Sequence, residues 1–141
     1  ILERENMKNY IFNYTNSNGE EKKIELRLTA DDCEQIEKTY NCTLLDYVQQ
    51  CSITSIITLL QRMKKGAGES YTRKMTQELY DELVDSGYTM ATILDEIIYE
   101  ALVISGVITK EDLDNIRAER EKIKNMSNEE KRELIKERKN S

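Results

Sequence analysis

Few side chains in this chain could do chemistry, and their types set narrow bounds. There is no His among 141 residues, so Ser, Thr and Cys nucleophiles lack an imidazole base. Lys and carboxylate bases are present, yet no spacing pairs one with a nucleophile. Cys33, Cys42 and Cys51 are odd in number and lack C-x-x-C spacing, so they read as small buried or half-buried thiols, not ligands or a disulfide framework. Glu78, Asp81, Glu82 and Asp85 recur at helical spacing. They could hold a divalent cation, but carboxylates in such a row read first as a solvated face. Gly66-Ala67-Gly68-Glu69-Ser70 has the small residues of a phosphate loop without its Gly-Lys-Ser/Thr ending, and reads as a flexible connector. The expectation is a protein that is not an enzyme, with no catalytic, metal or cofactor-binding residue to nominate.

Binding is the remaining class of activity. Tyr71, Tyr80, Tyr88 and Tyr99 could line a groove, since Tyr offers apolar area with one polar tip, although half-buried packing is the plainer reading. Arg62, Lys64, Lys65, Arg73 and Lys74 are the one candidate basic face. Residues 109–141 hold 10 Lys+Arg and 9 Asp+Glu, leaving 11 and 18 before them, so the front carries −7 and the tail +1 of the total −6. A body that acidic repels phosphate and disfavours broad nucleic-acid binding. No apolar run reaches the length of about 20 residues that crosses a bilayer, and no signal-peptide pattern is present. The expected location is therefore the cytoplasm, without a membrane partner.

The elements that must position these residues are legible from periodicity. Strands are expected over 10–14 and 22–28, turning at Asn18-Gly19, with Ile24, Leu26 and Leu28 alternating with charged residues. Thr29 with Asp32 is a capping-box variant, opening a helix whose Cys33, Ile36 and Tyr40 share a face and should cover the hairpin. A short helix follows from Leu44. Ile53, Ile56, Ile57, Leu60 and Met63 mark a third, and Met75, Leu79, Leu83 and Val84 a fourth ending at Gly87. Thr89 caps a helix with Ile93, Leu94, Ile97, Ile98, Ala101 and Leu102 on a broad apolar face, the expected centre of the core. Capping signals at Thr109 and Ser127 predict two further helices. The chain has no Pro, so glycine alone punctuates it, with Gly87 and Gly106 placed as C′ residues. The fold class is thus α+β, mostly α: an N-terminal antiparallel β-hairpin packed on a helical bundle, then a charged helical C-terminal tail.

The strand pair, the Leu26-Arg27-Leu28-Thr29 lead-in and the helix end Ile36-Glu37-Lys38-x-x-Asn41-Cys42 together resemble the tail assembly chaperones of long-tailed phages and prophages of Gram-positive bacteria. The block Leu79-Tyr80-Asp81-Glu82-Leu83-Val84-Asp85-Ser86-Gly87-Tyr88-Thr89-Met90, running on to Ser105-Gly106, is similar to the same family. The likeness spans roughly 8–106 and rests on the order of these motifs. The chain departs from the family in having Thr43-Leu44-Leu45 where a Pro often follows the Cys, and in its long charged tail. The resemblance implies a non-enzymatic protein of the bacterial host cytoplasm, absent from the mature virion. Its partners would be the tape-measure protein, which it binds, and tail-tube subunits, which it recruits. The alternative is a phage or mobile-element regulatory protein binding nucleic acid or a host protein.

Three regions are expected: 1–6, an upstream extension or cloning remnant; 7–108, hairpin plus helical bundle; and 109–141, the charged tail. Wide stripes over 53–63 and 93–102 predict leftover apolar surface and a homo-oligomer. Candidate partner-binding residues are Leu113, Ile116 and Ile123, as an apolar edge of the tail, with Tyr80 and Tyr88 in the body.

Overall fold

The computed structural model describes residues 8–140; the expected boundary near residue 7 lies outside them. Strands β1 (Tyr10–Thr15) and β2 (Glu21–Leu26) pair antiparallel, with Tyr10 opposite Leu26 and Thr15 opposite Glu21. Asn16 organises the turn: its Oδ1 accepts from the amides of Asn18 (3.0 Å) and Glu20 (2.9 Å), while Gly19 takes φ +80°. Tyr10, Phe12 and Tyr14 share one face, with ring centroids 6.4 and 6.1 Å apart along the strand. The second strand stops two residues before Leu28, because the chain leaves the ladder for other acceptors. The Arg27 amide donates to Met63 O at 2.9 Å, and the Leu28 amide to Ser105 Oγ at 2.9 Å.

Five helices complete this unit: α1 (Ala30–Tyr40), α2 (Leu44–Gln49), α3 (Ile53–Gly66), α4 (Arg73–Asp85) and α5 (residues 90–104). Hydroxyl side chains of Thr29, Thr43, Ser52, Thr72 and Thr89 each accept an amide from the first turn. Such a cap is worth about 1 kcal/mol against Ala. Asn41, at φ 52°, ends α1, and the Gly87 and Gly106 bonds close α4 and α5 in Schellman fashion. In the middle of α5 the turn widens over Ile93–Ile98, with the Tyr99 amide reaching Leu94 O five residues back.

The core holds the residues nominated from α5: Ile93, Leu94, Ile97, Ile98, Ala101 and Leu102 are all buried. Ile24, Leu26 and Leu28 are buried too, as their alternation with charged residues predicts. The cover of the hairpin differs from expectation. α3 packs on β2 and the end of α5 on β1, whereas α1 packs chiefly on α2. The reason is a close backbone approach: Gly66, without a Cβ, lets α3 reach Arg27 O, and the Arg27 amide bonds Met63 O. α1 is instead tied to α3 through buried Asp32, whose Oδ1 receives Arg62 Nη1 at 3.1 Å. The stripes of α3 and α5 whose width predicted an oligomer are consumed inside the chain, apart from Ile53, which is 55% exposed.

A second compact unit begins at Ile108. Its helices α6 (Lys110–Lys124) and α7 (Asn128–Asn140) start at the caps read from the sequence, Thr109 and Ser127. In α6, Glu111 and Asp112 occupy the first turn and Lys122 and Lys124 the last, which complements the helix dipole. The Thr109 amide and hydroxyl hold the Asp112 carboxyl below its ordinary range.

Candidate functional site

Two clefts in the first unit gather the residues singled out above. The first runs along α4. Thr72 caps that helix through the Met75 amide, and its stripe is only half used: Leu83 is fully buried, while Met75 is 42% and Val84 43% exposed. Met75, half-buried Leu79 and Tyr71 form the apolar part of an open groove of about 560 Å³, with Glu78, Asp81, Glu82, Asp85 and Ser17 around them. Glu82 is committed to the fold. Its Oε2 accepts from the Tyr14 hydroxyl at 2.7 Å and its Oε1 from Asn16 Nδ2 at 3.5 Å. Burial, then Glu82, pushes the Tyr14 hydroxyl well above its ordinary pKa. Glu78, Asp81 and Asp85 face solvent. The acidic row is thus a rim with one anchoring member, and among the described residues no three His, Cys, Asp or Glu side chains converge as a metal site would need.

The second cleft, about 310 Å³, lies where α3 ends and α4 begins, and is lined by Tyr40, Thr58, Gln61, Arg62, Lys65, Ser70, Tyr71 and Arg73. Arg62 is shared with Asp32, as above. Arg73 donates to Thr58 Oγ1 at 3.0 Å and to Thr54 O at 3.4 Å. Beneath them Tyr47 stacks on Tyr40 with centroids 4.4 Å apart. The Tyr47 hydroxyl is buried without a hydrogen-bond partner of good geometry, although Tyr40 and Thr58 stand beside it. Burial pushes its pKa up to about 12. The Tyr40 hydroxyl moves the other way, lowered by its Tyr47 neighbour, then by Thr58, Arg73 and Arg62.

The nominated residues divide between these places and the core. Tyr88 is half-buried and meets Phe12 edge-on at 5.6 Å, so it joins α4 to the hairpin. Tyr80 is half-buried and lines neither cleft. Tyr99 is core, at 2% exposure, and Tyr71 lines both clefts. Leu113 is fully buried, so it offers no free edge, while Ile116 and Ile123 are half-buried. The candidate basic face is broken up. Lys64 is buried against Glu69 (3.1 Å), with its ammonium 4.7 Å over the Tyr71 ring, and Lys74 does not line the cleft. Tyr40, Thr58 and Met75 carry no chemical signal in the sequence; only their tertiary neighbours make them site residues. In comparisons with protein-family models, curated proteins and solved structures, nothing matches this chain. Among the described residues no helix is long and apolar enough to cross a membrane.

Proposed function

We propose that this protein is a non-enzymatic chaperone of phage tail assembly, holding a helix of the tape-measure protein and bringing tail-tube subunits to it. The family resemblance supplies the clients; the groove along α4 supplies the mode. Met75 and Leu79 would be anchors at i and i+4, as in helix-in-groove recognition, and Glu78, Asp81 and Asp85 would select a helix with basic residues flanking its apolar stripe. The single observation carrying this reading is the half-covered stripe of α4, an apolar strip left open beside carboxylates that make no ion pair within 4.0 Å among the described residues. A tape-measure chain exposes such stripes until tube subunits surround it, and aggregates unless they are masked. The regulatory, nucleic-acid-binding alternative has less support, since Lys64 is buried against Glu69 and Lys74 stands outside the cleft that the other basic residues line.

Co-expression with a phage tape-measure protein tests it. The native chain should keep that client soluble and co-purify with it, whereas E78K/D81K, two exposed sites, should lose capture at low salt. Equal capture by the reversed-charge variant would remove the groove from the mechanism.

A further inference from the structure

The cleft between the end of α3 and the start of α4 has no role in that proposal, and its chemistry is opposite in sign. Three cationic side chains, Arg62, Lys65 and Arg73, converge on it, together with the hydroxyls of Tyr40, Thr58 and Ser70. One carboxylate, Asp32, is in ion-pair contact with the set, through Arg62 at 3.1 Å. Three positive charges less one negative leave +2. Among the described residues neither Lys65 nor Arg73 forms an ion pair, although the unit around them carries an excess of acid. Concentrating unpaired cations in a concavity of an acidic protein costs self-repulsion, which a bound anion relieves. Distant carboxylates matter less than these neighbours, because exposed charges are screened beyond about 8 Å at physiological ionic strength.

An independent observation lies at the back of the cleft. Tyr47 is 2% exposed, and its hydroxyl, without a partner of good geometry, stands beside Tyr40 and Thr58, both of which line the cleft.

We infer that this cleft binds a small phosphorylated molecule, with the phosphate dianion held by Arg62, Lys65 and Arg73 and by the hydroxyls of Thr58 and Ser70. Dianionic charge matches the +2 of the set. Arg guanidinium groups offer planar forks for phosphate oxygens, and Lys65 offers a point charge beside them. A volume of about 310 Å³ admits one small ligand and stands at the lower end of ligand pockets. An extended polyanion is disfavoured, since it needs a run of cationic contacts along its backbone and α4 continues from Arg73 into the acidic groove. Tyr40 and Tyr71 flank the cations, so an aromatic group attached to the phosphate would find a ring to stack on.

The test is calorimetric titration of the full chain at constant ionic strength with inorganic phosphate, AMP, chloride and a short single-stranded oligonucleotide. Phosphate and AMP should bind with one site per chain and chloride should not. Affinity for AMP above that for phosphate makes the ligand a nucleotide; equal affinities make it the phosphate group alone. Either Lys65→Gln or Arg73→Gln should weaken phosphate about tenfold, the loss of one charge-assisted contact. Lys65 is exposed and makes no ion pair within 4.0 Å among the described residues, so its variant tests the site without threatening the fold. Tyr47→Phe, which removes the hydroxyl behind Tyr40 and Thr58, should weaken phosphate by a smaller factor. Absence of phosphate and AMP binding, indifference of affinity to Lys65→Gln, or oligonucleotide binding tighter than AMP at equal salt would each overturn the proposal.

Discussion

Replacing Gly66 by Ala adds one methyl group at the tightest backbone crossing of the fold. A Cβ there would stand 1.9 Å from Arg27 O and 2.9 Å from Arg27 C, and side-chain carbons essentially never approach closer than 3.0 Å. The helix end and the strand exit must therefore part by at least 1.1 Å, the difference between 3.0 and 1.9 Å. The Arg27 amide bonds Met63 O across the same crossing at 2.9 Å, and a shift of that size along the bond takes it out of hydrogen-bonding range. Overpacking costs about 1–3 kcal/mol, and a broken, poorly resolvated bond about 1–3 more. Better helix propensity returns at most about 1 kcal/mol. The expected net loss is about 1–5 kcal/mol, a large part of the roughly 5–15 kcal/mol that stabilises an ordinary domain. Equilibrium urea unfolding of Gly66→Ala measures it. Gly68→Ala is the control: it has open space around it but φ +102°, so its cost is conformational alone, about 1–2 kcal/mol. If Gly66→Ala is as stable as the native chain, or less damaging than Gly68→Ala, α3 does not cross the hairpin exit as described.

Further outcomes follow from other contacts. Tyr14 and Tyr47 hold their protons above the ordinary 10.0, Tyr47 up to about 12, and a raised folded-state pKa means the folded chain binds protons more tightly than the unfolded one. The stability they contribute is complete below pH 10 and is lost as pH rises through their folded values. Alkaline unfolding should therefore steepen above pH 10, and Tyr14→Phe should flatten that slope. Two of the eight Tyr should appear late in a tyrosinate absorbance titration. Leu113→Ala should cost about 2–5 kcal/mol as a fully buried site, while Ile135→Ala, 53% exposed, should fall within about 0.5 kcal/mol of native; the reverse order would return Leu113 to the surface. Asp32→Asn leaves the Arg62 guanidinium without its carboxylate, and should destabilise the chain by about 1–3 kcal/mol while tightening phosphate binding in the second cleft.

Local signals made the elements readable and left their partners open. Every helix start named by a Ser or Thr cap is where the chain places it, because a hydroxyl three residues before an orphan amide decides a helix start within one turn. Gly87 and Gly106 end helices for an equally local reason, their positive φ. The hairpin alternation and the α5 face survive intact, since a period of 2 or 3.6 states which side is apolar. It does not state what that side meets. α1 was expected over the hairpin and packs on α2, and the deciding residue, Gly66, looks from the sequence like part of a loop. Leu113 reads as an edge residue of a charged segment and is buried.

The sites divide along the same line. From the sequence alone come the absence of His chemistry, the acidic row on α4 and the basic residues either side of the glycine loop. Composition and spacing carry those, and they belong to single elements. The tertiary structure alone decided that Glu82 anchors to Tyr14, that Lys64 is spent on Glu69, and that Arg62, Lys65 and Arg73 share one concavity with Tyr40 and Thr58. The physical reason is that charge, burial and hydrogen bonding act over a few ångströms in space, while residues 40, 58 and 73 stand far apart along the chain and meet only when α1, α3 and α4 pack.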